Sequence, residues 1–493
     1  MRRVLIANRG EIAVRVARAC REHGLSSVAV YSDADRDAPH LRAADDVVAI
    51  GPAPARESYL SVEALLGAAR AARADAVHPG YGFLAENAAF ARAVIEAGLI
   101  WIGPPPQAIA TMGDKVAARA TVAAAGVPVV PGAEVDGADA AEAARRAASL
   151  GYPVLVKAAA GGGGKGMRRV ASPAELDDAL AAAAREAAAA FADARVYLEK
   201  LIEHPRHVEV QVLGDGRGTL LHLGERECSV QRRHQKVVEE TPCPVMTPAL
   251  RAEMTAAALA VARAVDYTSA GTIEFLLDPD GKFYFLEMNT RLQVEHPITE
   301  WITGVDLVGA QLRVARGEAL GFSQRDVSFR GHALEVRVCA EDPAAGFLPS
   351  AGPILLAREP SAPSVRVDSG IETGARVPVE YDPLLAKLSA WGPDREQAVR
   401  RMQAALRDTV ILGPTTNLAF LQDVLAHPAF AAGATHTGFI DEYLTGWGVT
   451  DDEIDAAAVA AALAGTLRSA TAPTAPSVQP SPWDTLGAWR LGV

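Results

Sequence analysis

The stretch richest in chemistry is Phe285 to Glu300, FLEMNTRLQVEHPITE, in which Glu287, Asn289, Arg291, Gln293 and Glu295 occupy alternate positions. In an extended strand all of these side chains face one way. The segment before it, Thr272 to Phe285, has two β-rich runs around Asp280-Gly281, a pair favoured in two-residue hairpin turns. Such a turn sets Glu274 directly opposite Glu287. Like charges facing each other across a strand pair are destabilising unless something lies between them, and oxygen donors of this kind suit a hard divalent cation such as Mg2+. The competing reading is a half-buried strand whose polar side chains meet water.

The elements that position these residues belong to a chain of 493 residues, which suggests about three domains at roughly 100 to 200 residues each. With 49% hydrophobic and 22% charged residues and a mean hydropathy of +0.10, the composition is that of a globular protein, neither disordered nor membrane-embedded. No apolar run reaches membrane-spanning length. The apolar part of the N-terminus, Val4 to Ala7, is too short for a secretory leader, so a cytoplasmic protein is expected. Cys20, Cys228, Cys243 and Cys339 form no Cys-x-x-Cys pair, which argues against a zinc ribbon or a disulfide framework. A net charge of −12 gives no support to nucleic-acid binding.

From Arg3 to about Gly113, the apolar runs Val4–Ala7, Val28–Tyr31, Val47–Ile50, Ala76–His78 and Ile100–Gly103 alternate with helical segments. This is the βαβ pattern of a parallel sheet. No G-x-G-x-x-G accompanies the first helix, Glu11 to His23, so a dinucleotide site is not expected. The HPGYGFLAEN stretch, His78 to Asn87, leaves a strand end through a Gly-rich turn, where ligands bind in such sheets; plain turn chemistry is the equal alternative. Gly132 to Gly151 reads as an Ala-rich helical segment, and Pro153 to Ala158 as a strand carrying Lys157 into GGGGKGMRRV. That loop fails the Walker pattern at Ala159 and Gly166, and reads as a mobile flap over phosphates between two strands, with a flexible linker as the alternative. A helix spans Ser172 to Ala190 and strands follow at Val196–Ile202 and around His207, Glu209 and Gln211. Glu225 to Glu240 packs basic residues between acidic ends. A helix runs from Thr247 to about Asp266. From Gly331, with Glu335 and Arg337 on one face, a separate β-rich unit is expected. Asp394 starts a helix whose apolar stripe is Ala398, Val399, Met402, Ala405 and Leu406, another helix follows Thr416-Asn417, and a Pro/Ser/Thr-rich linker lies near the end.

ANRGEIAVR (Ala7 to Arg15), HPGYGFLAEN, GGGGKGMR, LEKLIEHPRHVEVQV, GERECSVQRRHQKVVEE and FLEMNTRLQVEHPITE together resemble biotin carboxylase, over roughly Met1 to Trp447. The likeness is greatest to the biotin-carboxylase component of acyl-CoA carboxylases. It implies a mixed α/β ATP-grasp fold: a Rossmann-like parallel-sheet domain over 1–113, an ATP-grasp domain over 114–328 with a lid at about 131–203, a β-rich C-terminal domain over 329–446, and a linker with the start of a following segment over 447–493. It implies ATP contacts from Lys115, Lys157, Gly162, Gly163, Gly164, Lys165, Gly166, Glu199, Lys200, Leu201, His207, Gln231 and His234. Glu274, Glu287 and Asn289 resemble ligands of Mg2+ or Mn2+. Lys236, Arg291, Gln293, Val294 and Glu295 resemble a bicarbonate pocket with Glu295 as base, and Arg337 the residue that steadies a biotin enolate.

The implied reaction carboxylates N1 of biotin through carboxyphosphate, as the first half-reaction of an acetyl- or propionyl-CoA type carboxylase; methylcrotonyl-CoA and pyruvate carboxylases are the alternatives. The Met-Lys-Met acceptor of carrier domains occurs nowhere in the chain. Biotin is therefore expected on a separate carrier domain, with a carboxyltransferase as a further partner and a homodimer of this chain at the core. Two other readings are an ATP-grasp ligase joining an acyl phosphate to an amine, against which the Arg291 to Glu295 and Arg337 region argues, and a nucleotide-binding module without catalysis, against which the retained Glu295 and metal carboxylates argue.

Overall fold

Strands β1 (Arg3–Ile6), β2 (Ser26–Ser32), β3 (Asp46–Gly51), β4 (Ala76–His78) and β5 (Ile100–Trp101) form a parallel sheet in the order β3-β2-β1-β4-β5, as the alternating pattern required. Helix α1 (Gly10–Glu22) packs Ile12, Ala13, Val16, Ala19 and Cys20 into the core beneath it. The structure is a computed structural model that describes residues 1–135, 140–158, 167–191 and 195–448. Met1–Thr445 form one compact unit, within which everything below lies; of the other unit, Gly446–Val493, only residues 446–448 are described.

A four-stranded antiparallel sheet follows, built from β6 (Gly132–Val135), β7 (Val154–Ala158), β8 (Arg168–Val170) and β9 (Val196–Lys200) in the order β6-β9-β7-β8. The expected helix over Gly132 to Gly151 is thus partly a strand, and the helix itself is Ala140–Leu150. Val135 joins Val154, Val196 and Leu198 in the small core there, and that burial outweighs the helical composition of its neighbours. The Gly162, Gly163, Gly164, Lys165 and Gly166 loop lies outside the described residues.

The third sheet positions the chemistry. Its strands β10 (Arg206–Gly214), β11 (Leu220–Arg232), β12 (Gln235–Thr241), β13 (Ser269–Leu277), β14 (Phe283–Asn289) and β15 (His332–Cys339) are joined by the strands Leu384–Gly392 and Val365–Ser369. The order is β14-β13-β10-β11-β12-β15 and then those two, antiparallel throughout. The stretch beginning at Gly331 was expected as a separate β-rich unit. Its longest strands instead extend this sheet, because β15 pairs with β12 through Val336–Val238 and Leu334–Glu240.

The β13–β14 hairpin gives the expected pairing by an unexpected route. Three residues, Pro279, Asp280 and Gly281, lie between Asp278 and Lys282, whose backbones bond at 2.8 Å. A turn of that length pairs Phe275 with Phe285 and would set Glu274 opposite Leu286. A bulge leaves Leu286 unpaired, and beyond it Glu274 pairs with Glu287. An extra residue on one strand shifts the facing set by one, so bulge and turn together restore the carboxylate pair. β14 then ends at Asn289, and the helix His296–Thr303 starts after Glu295. The expected extended run through Glu295 therefore stops partway.

The helix Arg395–Asp408 buries Ala398, Val399, Met402, Ala405 and Leu406, the expected stripe. Asp394 caps it, its Oδ1 accepting from Gln397 N at 2.8 Å. Asp394→Ala should lower unfolding stability by removing this cap, read as a lower denaturant midpoint at unchanged slope.

Candidate active site

Alternate residues of the third sheet point to one face, and the strand order lays their polar side chains in a row. β14 presents Glu287 and Asn289, β13 Glu274, β10 His207, Glu209 and Gln211, β12 Glu239, and β15 Glu335 and Arg337; Lys236, three residues before Glu239 and beside an irregularity in the β11–β12 ladder, reaches the same row with its long side chain. Across the ladders Glu274 faces Glu209, Glu209 faces Arg226 of β11, Gln231 faces Lys236, and Glu239 faces Glu335.

Lys236 is the centre of this row. Its Nζ lies 2.5 Å from Glu209 Oε2, 2.8 Å from Glu274 Oε1 and 2.7 Å from Glu295 Oε1. The other oxygen of Glu295 accepts from Arg337 Nη2 at 2.9 Å, and Arg337 Nε donates to Glu239 at 2.7 Å. Glu274 also accepts from Asn289 Nδ2 at 2.8 Å and from Gln293 Nε2 at 3.3 Å, with His207 Nε2 at 2.9 Å from its second oxygen. Arg291 donates to Asn289 Oδ1 at 2.8 Å and to Gln293 Oε1 at 2.9 Å. Glu274, Asn289, Arg291, Gln293, Glu295, Lys236, His207 and Arg337 thus form one connected group, although the backbone after Asn289 is not a strand. Val294 lies in that irregular turn, its carbonyl accepting from Lys387.

The residues expected around a nucleotide divide in two. Lys157 pairs with Glu199, which also holds Arg119 at 2.8 Å, while Lys200 Nζ donates to the Gly151 and Tyr152 carbonyls at 2.8 and 3.2 Å. Leu201 follows β9, its N–H on the Pro153 carbonyl. The side chains of Lys115, Gln231, His234 and Glu287 make no hydrogen bond or ion pair among the described residues. Lys115, His234 and Glu287 still lie around a common space, since Lys115 feels Glu287, Lys157 and Glu199, and His234 feels Lys157 and His207. Glu287 is exposed to that space. Its carboxylate, unpaired among the described residues and opposite Glu274, with Asn289 two residues on, is an oxygen-donor set that fits Mg2+.

Several residues of the site were missed from sequence. Arg226 is fully buried and donates to Glu209 at 2.5 Å, Gln211 at 2.7 Å, Thr299 at 2.9 Å and Thr272 at 3.1 Å. The alternation of His207, Glu209 and Gln211 was the available signal, because a polar face turned inward needs a buried partner. Glu86 of the His78–Asn87 loop holds Arg291 at 2.8 Å and Thr290 N at 3.1 Å, which brings the Gly-rich turn of the first sheet to this site.

Comparisons with known proteins place the chain among relatives. It matches the profiles described as biotin carboxylase, N-terminal domain, over residues 1–109, as carbamoyl-phosphate synthase L chain, ATP binding domain, over 114–322, and as biotin carboxylase C-terminal domain over 335–442. It is 51% identical to a pyruvate carboxylase subunit of Methanothermobacter thermautotrophicus, with 90% of each chain covered. It is 50% identical to biotin carboxylase of Nostoc sp., covering 89% of this chain and 98% of that protein. With the methylcrotonoyl-CoA carboxylase α subunit of Oryza sativa it shares 51% identity, over 90% of this chain and 60% of that longer one. Among solved structures, the biotin carboxylase domain dimer of Hydrogenobacter thermophilus 2-oxoglutarate carboxylase, in complex with MgADP, ADP and bicarbonate, aligns with a TM-score of 0.87 and 44% identity, covering 91% of this chain and 99% of that one.

The electrostatics of the row follow from its burial. Burial opposes ionisation of Glu295, but Lys236 and then Arg337 and Arg226 outweigh it and hold the carboxyl well below its usual range. Burial likewise opposes the Lys236 charge, and Glu209, Glu274 and Glu295 more than restore it. Glu239 goes the other way. Burial raises it, Arg337 opposes and Glu295 adds, so it is pushed up to about 7 from an ordinary 4.5. The folded protein then keeps a proton that the unfolded chain releases. This contribution to stability is present at low pH and lost as pH rises through that window. Glu239→Gln should flatten this part of the curve, checked by unfolding midpoints of both proteins across pH 4.5 to 7.

Proposed function

This chain belongs to the biotin carboxylase family, the ATP-grasp ligase component of biotin-dependent carboxylases, and from that premise we propose that it carboxylates N1 of biotin on a separate carrier domain, using ATP and bicarbonate through carboxyphosphate. The observation that carries this reading is the placement of Glu295, with one oxygen on Lys236 at 2.7 Å and the other on Arg337 at 2.9 Å. Bicarbonate is a poor nucleophile, and a carboxylate must take its proton while cations hold it in line with the γ-phosphate. Lys236, on one oxygen of Glu295, and Arg291, held beside Gln293 and Asn289, are the cations proposed for bicarbonate, Gln293 and the Val294 backbone complete the pocket, and Glu295 is the base.

On the nucleotide side, Lys115 and Lys157 offset the charge spread over the transferred phosphoryl oxygens, with Lys165 and the glycines around it closing over them. Glu199, Lys200 and Leu201 edge the adenine, and His207, Gln231 and His234 line the rest. Glu274, Glu287 and Asn289 would hold Mg2+, which neutralises phosphate charge when bound. After carboxyphosphate decomposes to CO2 and phosphate, the phosphate removes the biotin N1 proton and the enolate attacks CO2. Arg337, already beside Glu295, would steady the enolate charge. The biotin carrier and a carboxyltransferase are the proposed partners, and two copies of this chain the core; the dimer of the 2-oxoglutarate carboxylase domain supports the last point.

For the final acceptor, an acyl-CoA of the acetyl or propionyl class is proposed. The methylcrotonoyl-CoA relative supports an acyl-CoA and the pyruvate carboxylase relative a 2-oxo acid; carboxylation of each acceptor by the chain assembled with its carrier and carboxyltransferase separates them.

The direct test is bicarbonate-dependent ATP hydrolysis with and without biotin, alongside carboxylation of a biotinylated carrier protein. Glu295→Gln should reduce bicarbonate-dependent turnover by about 10²- to 10⁴-fold with nucleotide binding retained. Glu287→Gln should instead raise the Mg2+ concentration needed for half-maximal rate. Full turnover by Glu295→Gln would remove it as the base.

A further inference from the structure

Between Asn289 and His296 the backbone is irregular yet enclosed, with Thr290, Leu292, Gln293 and Glu295 buried. Buried main-chain groups outside a ladder need partners, and side chains supply them here. Glu86 accepts from Thr290 N at 3.1 Å, Arg291 Nη1 donates to Leu292 O at 3.3 Å, and His296 Nδ1 lies 2.8 Å from Gln293 O. The last carbonyl before Glu295, that of Val294, accepts from Lys387 Nζ at 2.5 Å.

Lys387 comes from the strand Leu384–Gly392, where it is the direct cross-strand partner of Arg337. Two opposed cations repel each other unless each has its own counter-charge. Arg337 turns to Glu239 and the Glu295 carboxylate. Lys387 is fully buried and turns the other way, to Val294 O and, at 3.3 Å, to Glu11 Oε1 of α1, on which the Tyr81 hydroxyl also donates. Asp368, facing Lys387 from the strand Val365–Ser369, is occupied by Arg366 at 2.7 Å and Arg18 at 3.2 Å. The close contacts of the Lys387 ammonium are then Glu11 and the carbonyl, with Asp368 and the buried Glu335 feeling its charge without a hydrogen bond to it. One cation of the opposed pair holds the carboxylate of Glu295, and the other holds the main chain that carries it.

We propose that Lys387 is a positioning residue for the reaction: through the Val294 carbonyl it fixes the turn that delivers Glu295, and through Glu11 and Tyr81 it ties that turn to α1 and the His78–Asn87 loop. This rests on Glu295 being the bicarbonate base. A lost hydrogen bond frees the turn to shift, and displacements of about 1 Å from a productive geometry cost on the order of 10²-fold in rate.

The test uses the full chain and compares Lys387→Met, Lys387→Arg and Glu295→Gln with wild type in bicarbonate-dependent ATP hydrolysis, with nucleotide affinity measured separately by titration with MgADP. Lys387→Met should lower kcat or raise the bicarbonate KM by at least about tenfold while MgADP affinity stays within about twofold, and Lys387→Arg should restore most of the rate. Added to Glu295→Gln, Lys387→Met should cost little more, because both act on one group. Lys387→Gln, which keeps a donor without the charge, carries the same comparison if Lys387→Met does not fold. Wild-type kinetics in the Lys387 variants, equal losses in MgADP and bicarbonate terms, or full additivity with Glu295→Gln would overturn the proposal. Absence of bicarbonate-dependent hydrolysis in the wild type would instead overturn the function proposed above.

Discussion

The interaction on which the rest of the site depends is the buried contact of Lys236 with three carboxylates at once. An ammonium taken out of water is expensive to keep, as is each carboxylate beside it, and such a cluster persists only if every member is paired in good geometry. The third sheet supplies that geometry. Neighbouring strands sit about 4.8 Å apart, so charges on one face of consecutive strands fall within reach of one another whenever the ladders are in register. Glu274, Glu209 and Arg226 are successive partners across β13, β10 and β11, and Lys236 reaches over them from β12. A shift of one residue in any ladder would turn one member to the opposite face. The apolar residues between them, Val208, Val210, Ile273 and Phe275, are packed in the core on that opposite face, and this packing opposes such a slip.

Ladder geometry also decides which features could be read in the sequence. The period of two exposed the pairing of Glu274 with Glu287, because alternation and a Gly-bearing turn are local signals. It did not reveal that the turn has three residues and that a bulge at Leu286 compensates, since both arrangements bring the same pair together. Past Asn289 the alternation continued in the sequence while the strand did not. The pattern Glu295-His296-Pro297 held the signal, as proline favours the first turn of a helix and cannot serve a ladder. Arg291, Gln293 and Glu295 converge nonetheless, because a turn held by side chains replaces the pleat.

Burial was the property hardest to read. The polar face of His207, Glu209 and Gln211 and the basic run Glu225 to Glu240 both have the composition of solvated surface, yet Glu209, Gln211 and Arg226 are sealed from water. Composition records which groups are charged, and only the fold decides whether their partners are water or one another. The sheet that passes from β12 into β15 was hidden for a related reason: strands pair across about a hundred residues of chain, a separation on which local propensity carries no information. The helix Arg395–Asp408, whose cap and stripe are both local, was legible in full.

The pattern of occupied and free partners bears on how a ligand would enter. All three Lys236 donors are taken, so an anion reaching it must displace a carboxylate instead of adding to the set. Each of the three carboxylates keeps another partner if Lys236 is withdrawn. Glu209 retains Arg226, Glu274 retains Asn289 and Gln293, and Glu295 retains Arg337. No single exchange strands a buried charge, which is the outcome that costs several kcal/mol. The bicarbonate proposed for this pocket would thus exchange one Lys236 contact for another at little cost, while the network that positions Glu295 remains closed around it. Lys115, Gln231, His234 and Glu287, whose side chains have no hydrogen bond or ion pair among the described residues, are instead the groups proposed to meet the nucleotide. A large ligand of that kind would bring its own charges and hydrogen-bonding groups, and these side chains would meet it without first breaking contacts among the described residues.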